Sequence, residues 1–279
     1  MTKVDSVERC ARVGKNTRGR DLVVGDLHGH RAQFELELQR LSFNPLRDRV
    51  FSVGDLINRG PDSLGTIALL EQPWFHAVLG NHELMLLNYM GCYDSRRHSR
   101  KAFPVGCGEW IRQAVAHHPR AIACAIERFA TLPLAIHVED DVPFNITHGD
   151  LHPLGTRLDA LLLGDRVSVH LADIVTSSRA NIGEAPKSEL ASLRFGPHEV
   201  QLSHRPIGRL PLTYVGHSRL PEVTVHNSYV YIDQGVCASA AARGGDARPP
   251  TVLEHRSFAR WLRGVAVAQG HACDVLAEA

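Results

Sequence analysis

The chain has 279 residues, 44% of them hydrophobic, and a formal net charge of +1; that length suits one large α/β domain or two small ones, and the balanced charge offers no footprint for nucleic acid. No apolar run approaches the ~18 residues of a membrane span, and the N-terminus lacks an apolar signal core. The six cysteines are scattered, with no Cys-x-x-Cys pair, so the expectation is a soluble protein of a reducing cytoplasm.

Residues 1–20 are polar and read as a flexible lead-in with at most one short strand. Residues 22–25 (Leu-Val-Val-Gly) form a buried strand whose end presents Asp26 and His28. Side chains two apart on extended backbone point the same way, so a carboxylate and an imidazole leave the strand side by side. Phe34, Leu38 and Leu41 then recur at helical spacing, and Asn44-Pro45 closes that helix. Arg49–Val53 is a second strand, ending in Gly54-Asp55. A loop, Asn58-Arg59-Gly60-Pro61, leads to a helix carrying Leu64, Ile67 and Ala68. A third strand, His76–Leu79, runs into Gly80-Asn81-His82-Glu83 and a further helix.

Residues 91–131 break this rhythm and read as a helical insertion, with one helix around Trp110, Ile111, Ala114 and Val115 and a second opened by Pro119. Within it, His98 lies in the basic run 95–101, expected as a solvated loop able to attract an anionic substrate. Strand signals return at Leu134–Val138 and Phe144–Thr147, the latter ending in His148-Gly149-Asp150. Residues 155–210 are the least legible, with a mixed helical segment near Leu158–Leu163 and a loop at Ser177-Ser178-Arg179. Leu212–Val215 ends in Gly216-His217. Val223–His226 and Tyr229–Asp233 read as a hairpin about Asn227-Ser228, residues 238–250 as a flexible Gly/Pro-rich stretch, Thr251–His255 as a last strand, and 257–268 as a C-terminal helix.

Three successive strand–loop–helix units therefore end their strands in Gly-Asp, Gly-Asp and Gly-Asn, and two later strands end beside histidine. In open α/β sheets ligand sites lie at the carboxyl ends of strands. Collected, Asp26, His28, Asp55, Asn81, His148 and His217 are oxygen and imidazole donors without sulfur, a set that favours Mn²⁺, Fe or Zn²⁺ over Ca²⁺. Six donors are too many for one cation and suit two; Asp55, from the middle of the series, is the natural bridge. Two such metals can bridge a hydroxide and polarise a phosphoryl oxygen, the chemistry of phosphoester or phosphoanhydride hydrolysis.

The segments GDLHG (25–29), GDLINRG (54–60), GNHE (80–83), HGD (148–150) and GH (216–217) resemble the signature of the calcineurin-like metallophosphoesterases, in particular the bacterial and phage type of serine/threonine protein phosphatase. The resemblance implies an α/β fold of two packed mixed sheets flanked by helices, as one domain over 21–279. It implies two divalent ions, Mn first, with Fe, Zn, Co or Ni as alternatives. Asp26, His28 and Asp55 would hold the first ion, and Asp55, Asn81, His148 and His217 the second. Arg59 would clamp the phosphate together with Asn81, with Arg179 a second clamp, and His82 would be the general acid. The implied reaction is hydrolysis of a phosphomonoester, phosphoserine or phosphothreonine, by a metal-bridging hydroxide, with no nucleic-acid or membrane partner.

Two residues depart from that pattern. Asn58 stands where protein phosphatases carry the Asp that pairs with the catalytic histidine; an amide can orient His82 but adds no charge to support imidazolium. Leu79 stands where an Arg is usual. Both resemble the symmetrical bis(5'-nucleosyl)-tetraphosphatases, whose polyphosphate leaving groups need less protonation, whereas Glu83 stands where that group has Asp. The alternatives are therefore a dinucleoside polyphosphate hydrolase and, from another class, a catalytically degraded metal-binding module.

Overall fold

In the computed structural model, the residues described are 3–95, 97–151, 165–184, 190–203, 210–236 and 249–268. Strands β1 (Ser6–Glu8), β2 (Cys10–Val13), β3 (Asp21–Val24), β4 (Arg49–Ser52), β5 (Phe75–Ala77), β6 (Ala135–Val138) and β7 (Phe144–Thr147) come first along the chain. The remainder adds β8 (Arg166–Ser168), β9 (Ala191–Phe195), β10 (His198–Leu202), β11 (Leu212–Val215), β12 (Val223–His226), β13 (Tyr229–Tyr231) and β14 (Val252–Glu254). Interleaved with them are helices α1 (Arg31–Arg40), α2 (Ser63–Ala68), α3 (Asn81–Tyr89), α4 (Phe103–Gly106), α5 (Trp110–His117), α6 (Pro119–Thr131), α7 (Val169–Val175), α8 (Ala180–Gly183) and α9 (His255–Ala268).

Two mixed sheets carry the fold. The smaller runs β14-β3-β4-β5 and the larger β2-β6-β7-β11-β13-β12-β10-β9. Strands β3, β4 and β5 are parallel, joined through α1 and α2, with β14 antiparallel on the edge. In the larger sheet β7, β11 and β13 are parallel. All four residues of β3 are buried, as expected of a strand covered on both faces. Alternation assigns each side chain its layer. Val23, Phe51 and Val53 pack with Ile136, Phe144, Ile146, Tyr214 and Val230 between the sheets. Leu22, Val24 and Val50 pack outward with Phe34, Leu38, Leu84 and Leu87 of the helices. The parallel strands of both sheets end towards one side, and there their loops meet: His148 Nδ1 donates to Val53 O at 2.8 Å, and His217 N–H to Asp26 Oδ1 at 3.3 Å.

Most strands fall where the sequence places them; β7, β11 and β12 match to the residue. The lead-in differs, because it carries two strands. β2 adds in parallel to β6 at the edge of the larger sheet, and β1 pairs with β8 about 160 residues away. Such long-range pairings leave no local periodicity to read. The third strand is β5, residues 75–77, so Val78 and Leu79 belong to the loop that follows. The hairpin β12–β13 turns on Asn227 and Ser228, both with positive φ (52° and 69°), the turn that matches strand twist. The helical segment expected near Leu158–Leu163 and the flexible stretch up to residue 248 lie outside the described residues. Among the described residues no helix is long and apolar enough to cross a membrane.

Candidate metal centre

Every donor named from the sequence reaches one place. Asp26 and His28 follow β3, Asp55 follows β4, Asn81 opens α3 after β5, His148 follows β7 and His217 follows β11. Five of the eight non-glycine residues with positive φ among the described residues lie here: His28, Asp55, Asn58, Arg59 and His217. Left-handed backbone costs a non-glycine residue about 1–3 kcal/mol. Its concentration in these loops marks backbone held for the position of its side chains. Close approach adds a second constraint: a Cβ on Gly216 would lie 2.1 Å from Asp26 Oδ1.

Asp55 divides its carboxylate between two donor groups. Its Oδ2 is 3.7 Å from His28 Nε2, which is also 3.9 Å from Asp26 Oδ2. Its Oδ1 is 3.2 Å from His148 Nε2. Asn81 Oδ1 lies 2.8 Å from that same Nε2 and 2.9 Å from His217 Nδ1. The opposite ring nitrogens are tied down: His28 Nδ1 donates to Ile57 O at 3.0 Å and His148 Nδ1 to Val53 O at 2.8 Å. Backbone carbonyls thus orient the rings so that Nε2 faces the centre, the usual support of a metal-binding histidine. The donor atoms of Asp26, Asp55 and His148 fall within 4.8 Å of one another.

The electrostatics fit a missing positive charge. Burial, then the neighbouring charges of Asp233 and Asp55, push the Asp26 carboxyl well above its usual range. Burial would also raise Asp55, but the charges of His148 and His82 outweigh it and hold Asp55 well below. For His148, burial disfavours the cation, yet the Asp55 charge and hydrogen bond prevail and raise it. Arg59 Nη1 donates to His28 Nε2 at 2.7 Å, so cationic groups of the protein itself lean on the acceptors. Burial depresses His217 to about 3, leaving it neutral, and its Nε2 is buried without a partner. Two buried carboxylates, three imidazoles and an amide oxygen around one point suit divalent cations of intermediate hardness. Asp26, His28 and Asp55 could hold one, and Asp55, Asn81, His148 and His217 a second.

His82 stands beside this cluster, its Nε2 3.7 Å from Asp55 Oδ2 and its ring edge-on to His28 at 4.7 Å. Burial lowers it to about 3, against the raising effect of Asp55. Its Nδ1 is 2.7 Å from Asn58 Nδ2. Arg59 and Arg179 are exposed at the rim, with Arg179 Nη2 donating to His217 O at 3.0 Å. A cleft of about 650 Å³ opens here, lined among others by Arg59, His82, Arg97, His98, Arg179 and His217. His98 is not the solvated residue expected: it is half-buried, with Nε2 3.6 Å from the buried Asp173 Oδ1.

Three supporting residues were given no role by the sequence. Glu83 accepts from Asp55 N and Gly80 N through Oε2 (2.9 and 3.0 Å) and from Leu56 N through Oε1 (2.9 Å). The spacing Gly80-x-x-Glu83 at a helix start is a capping signal that could have found it. Asp150 accepts from Ser178 Oγ (2.6 Å) and Asn181 N (2.9 Å), fixing the segment that carries Arg179. Trp110 Nε1 donates to Asn58 Oδ1 at 2.8 Å. Asp150 closes the His-Gly-Asp motif of 148–150, which places it near the site without giving its role; no local pattern announces Trp110.

A family profile described as calcineurin-like phosphoesterase matches residues 20–236. The chain is 29% identical over 214 residues to serine/threonine-protein phosphatase 2 of Salmonella typhimurium, covering 76% of this chain and 86% of that one. It is 50% identical over 66 residues to the symmetrical bis(5'-nucleosyl)-tetraphosphatase of Chromohalobacter salexigens, covering 23% and 24%. Matches to two further bacterial serine/threonine-protein phosphatases span only 42% and 57% of those proteins. A crystal structure provisionally assigned as a diadenosine tetraphosphatase shares the fold, with a TM-score of 0.50 and 22% identity over 83% of this chain and 90% of that one.

Proposed function

The chain belongs to the calcineurin-like phosphoesterase family, whose members use a dinuclear metal centre, and on that premise we propose that it hydrolyses phosphoric esters, phosphoserine or phosphothreonine in protein first among them. The observation that carries the reading is the split Asp55 carboxylate, 3.7 Å from His28 and 3.2 Å from His148. One such residue can serve two donor sets at once. Divalent ions, Mn²⁺ first and Fe, Zn, Co or Ni as alternatives, would polarise the phosphoryl oxygen and acidify water when bound. Asp26, His28 and Asp55 would hold the first, and Asp55, Asn81, His148 and His217 the second.

The protein's other groups bind and orient. Arg59 swings from His28 to grip the phosphate oxygens; Arg179, on the segment that Asp150 fixes through Ser178 and Asn181, and the Asn81 amide do the same. His82 presents Nε2 towards the leaving oxygen. We read residues 21–279 as the single domain carrying this chemistry, with the 91–131 insertion forming one wall of its cleft. The free thiols of Cys10, Cys92, Cys107 and Cys124 support a reducing, cytoplasmic setting.

A second reading, hydrolysis of symmetrical dinucleoside polyphosphates, is favoured by the neutral amide of Asn58 against His82. The test is a side-by-side assay with Mn²⁺ of a phosphoserine peptide and diadenosine tetraphosphate, in the parent chain and in Asp55→Asn. Metal-dependent release of phosphate from the peptide, lost in the variant, is the expected result. Turnover of the dinucleotide alone would overturn the first reading. Hydrolysis of neither substrate nor a generic aryl phosphate would leave a metal-binding module.

A further inference from the structure

We propose that Trp110 is a positioning residue whose indole N–H fixes the Asn58 amide, so that His82 carries its proton on Nε2 and the site favours leaving oxygens that depart as anions. The inference rests on the phosphohydrolase reading above and ranks its substrates: a phosphoserine peptide is expected to turn over, but more slowly than a phosphoanhydride.

The donor–acceptor logic has one solution. An indole nitrogen can only donate, so the Asn58 atom 2.8 Å from Trp110 Nε1 is the amide oxygen. The other amide atom, 2.7 Å from His82 Nδ1, is then the NH₂ group. An N–H aimed at Nδ1 requires a lone pair there, and the single proton of the neutral ring sits on Nε2. Asn58 is wholly buried, and Ser63 Oγ accepts from its backbone N–H at 2.9 Å. The insertion is built onto this loop a second time, since Cys107 O accepts from Arg59 N–H at 3.2 Å. Trp110 opens α5, so the insertion itself sets the state of the histidine.

The consequence concerns the bond that breaks. As the phosphorus–oxygen bond cleaves, its electron pair goes to the leaving oxygen. His82 Nε2–H can give that oxygen a hydrogen bond, but transferring the proton would leave an imidazolate. The leaving group therefore departs as an anion and takes its proton from water afterwards. Phosphate and phenolate leaving groups meet that requirement well; the alkoxide of a serine meets it poorly. A carboxylate at position 58 would instead accept from Nδ1–H and let a cationic ring hand over its Nε2 proton.

Two measurements test the assignment. In ¹⁵N-labelled, chelator-treated protein, the ring nitrogens of His82 should show Nε2 protonated and Nδ1 bare; the reverse pattern overturns the proposal without any variant. Trp110→Phe keeps a ring in place and removes the donor. The expected result is a His82 proton moved mainly to Nδ1 and a fall in kcat for an aryl phosphate of about tenfold, in step with the fraction of ring left with Nε2–H, with KM little changed. An unchanged tautomer, or a loss in KM alone, would show a merely structural role. A series of Mn²⁺-dependent rates on phosphoanhydride, aryl and alkyl phosphates should fall steeply with leaving-group basicity, and Asn58→Asp should flatten it. A flat series in the parent chain overturns the proposal while leaving the phosphohydrolase reading intact. Absence of all hydrolysis overturns that reading, while the ring tautomer still reports on Trp110.

Discussion

At Asp55 a single carboxylate faces two donor groups, and its partner His148 shows how the site manages that charge. In the metal-free protein the raised His148 and the depressed Asp55 form an ion pair. His148 gains stability as a cation below its unfolded value of 6.5, and loses it as pH rises through its higher folded value. A metal held by these residues would need the neutral imidazole and the ionised Asp26, so its binding would expel protons from both. His217, at about 3, is already neutral and contributes no proton. Affinity for Mn²⁺ is therefore expected to tighten as pH rises from 6 through the elevated His148 value. Calorimetric titration in buffers of different ionisation enthalpy should register proton release. An affinity flat across that range would mean that His148 is neutral and Asp26 ionised in the free protein. These donors were legible one by one, because each ends a strand in Gly-Asp, Gly-Asn or beside His. The raised carboxyl of Asp26 was not, since it depends first on complete burial and then on the charge of Asp233, and burial is a property of the packed fold.

Among the elements, the join between α3 and the β4 loop depends on Glu83. The carboxylate spans both segments, accepting from Asp55, Leu56 and Gly80, and is fully buried. Burial, then the charge of Asp55, pushes it up to about 7. In Glu83→Gln the amide NH₂ faces a backbone N–H that has no other acceptor. A loss of about 1–3 kcal/mol is expected, read as a lower urea midpoint, together with weaker metal binding as Asp55 shifts. Unchanged stability and affinity would mean that the loop is held by its backbone alone. The insertion is the element the sequence described least usefully. Its helices were predictable: Ile111 and Ala114 on α5 and Ile122, Ile126 and Phe129 on α6 recur at helical spacing and are buried. Its attachment to the site was not, because Trp110 reads as one more apolar residue until its N–H is seen on Asn58.

Across the whole molecule, stability depends on the seam between the sheets. Phe144 lies edge-on to Phe51 at 5.6 Å and to Tyr214 at 5.9 Å, and stacks on His255 at 3.9 Å. Phe144→Ala is expected to cost about 3–5 kcal/mol, as buried aromatic truncations do, measured by chemical unfolding. Because β7 carries Phe144 at one end and precedes His148 at the other, the same variant should bind metal more weakly. A loss below about 1 kcal/mol would mean that the seam collapses around the gap.

The sequence by itself determined the strand–loop–helix units, the helical insertion, the hairpin at Asn227-Ser228 and all six donors at the strand-end loops. These follow from local rules: apolar runs, periodicity and turn chemistry act within a few residues. It did not determine the strands of residues 6–13 or the elements between 165 and 202, whose partners are remote. Only the tertiary structure decided that β2 joins the larger sheet and that Asp150 holds the Arg179 segment. It also decided which way the Asn58 amide faces. That last choice turns on one hydrogen bond between residues 52 positions apart, and no local pattern encodes such a contact.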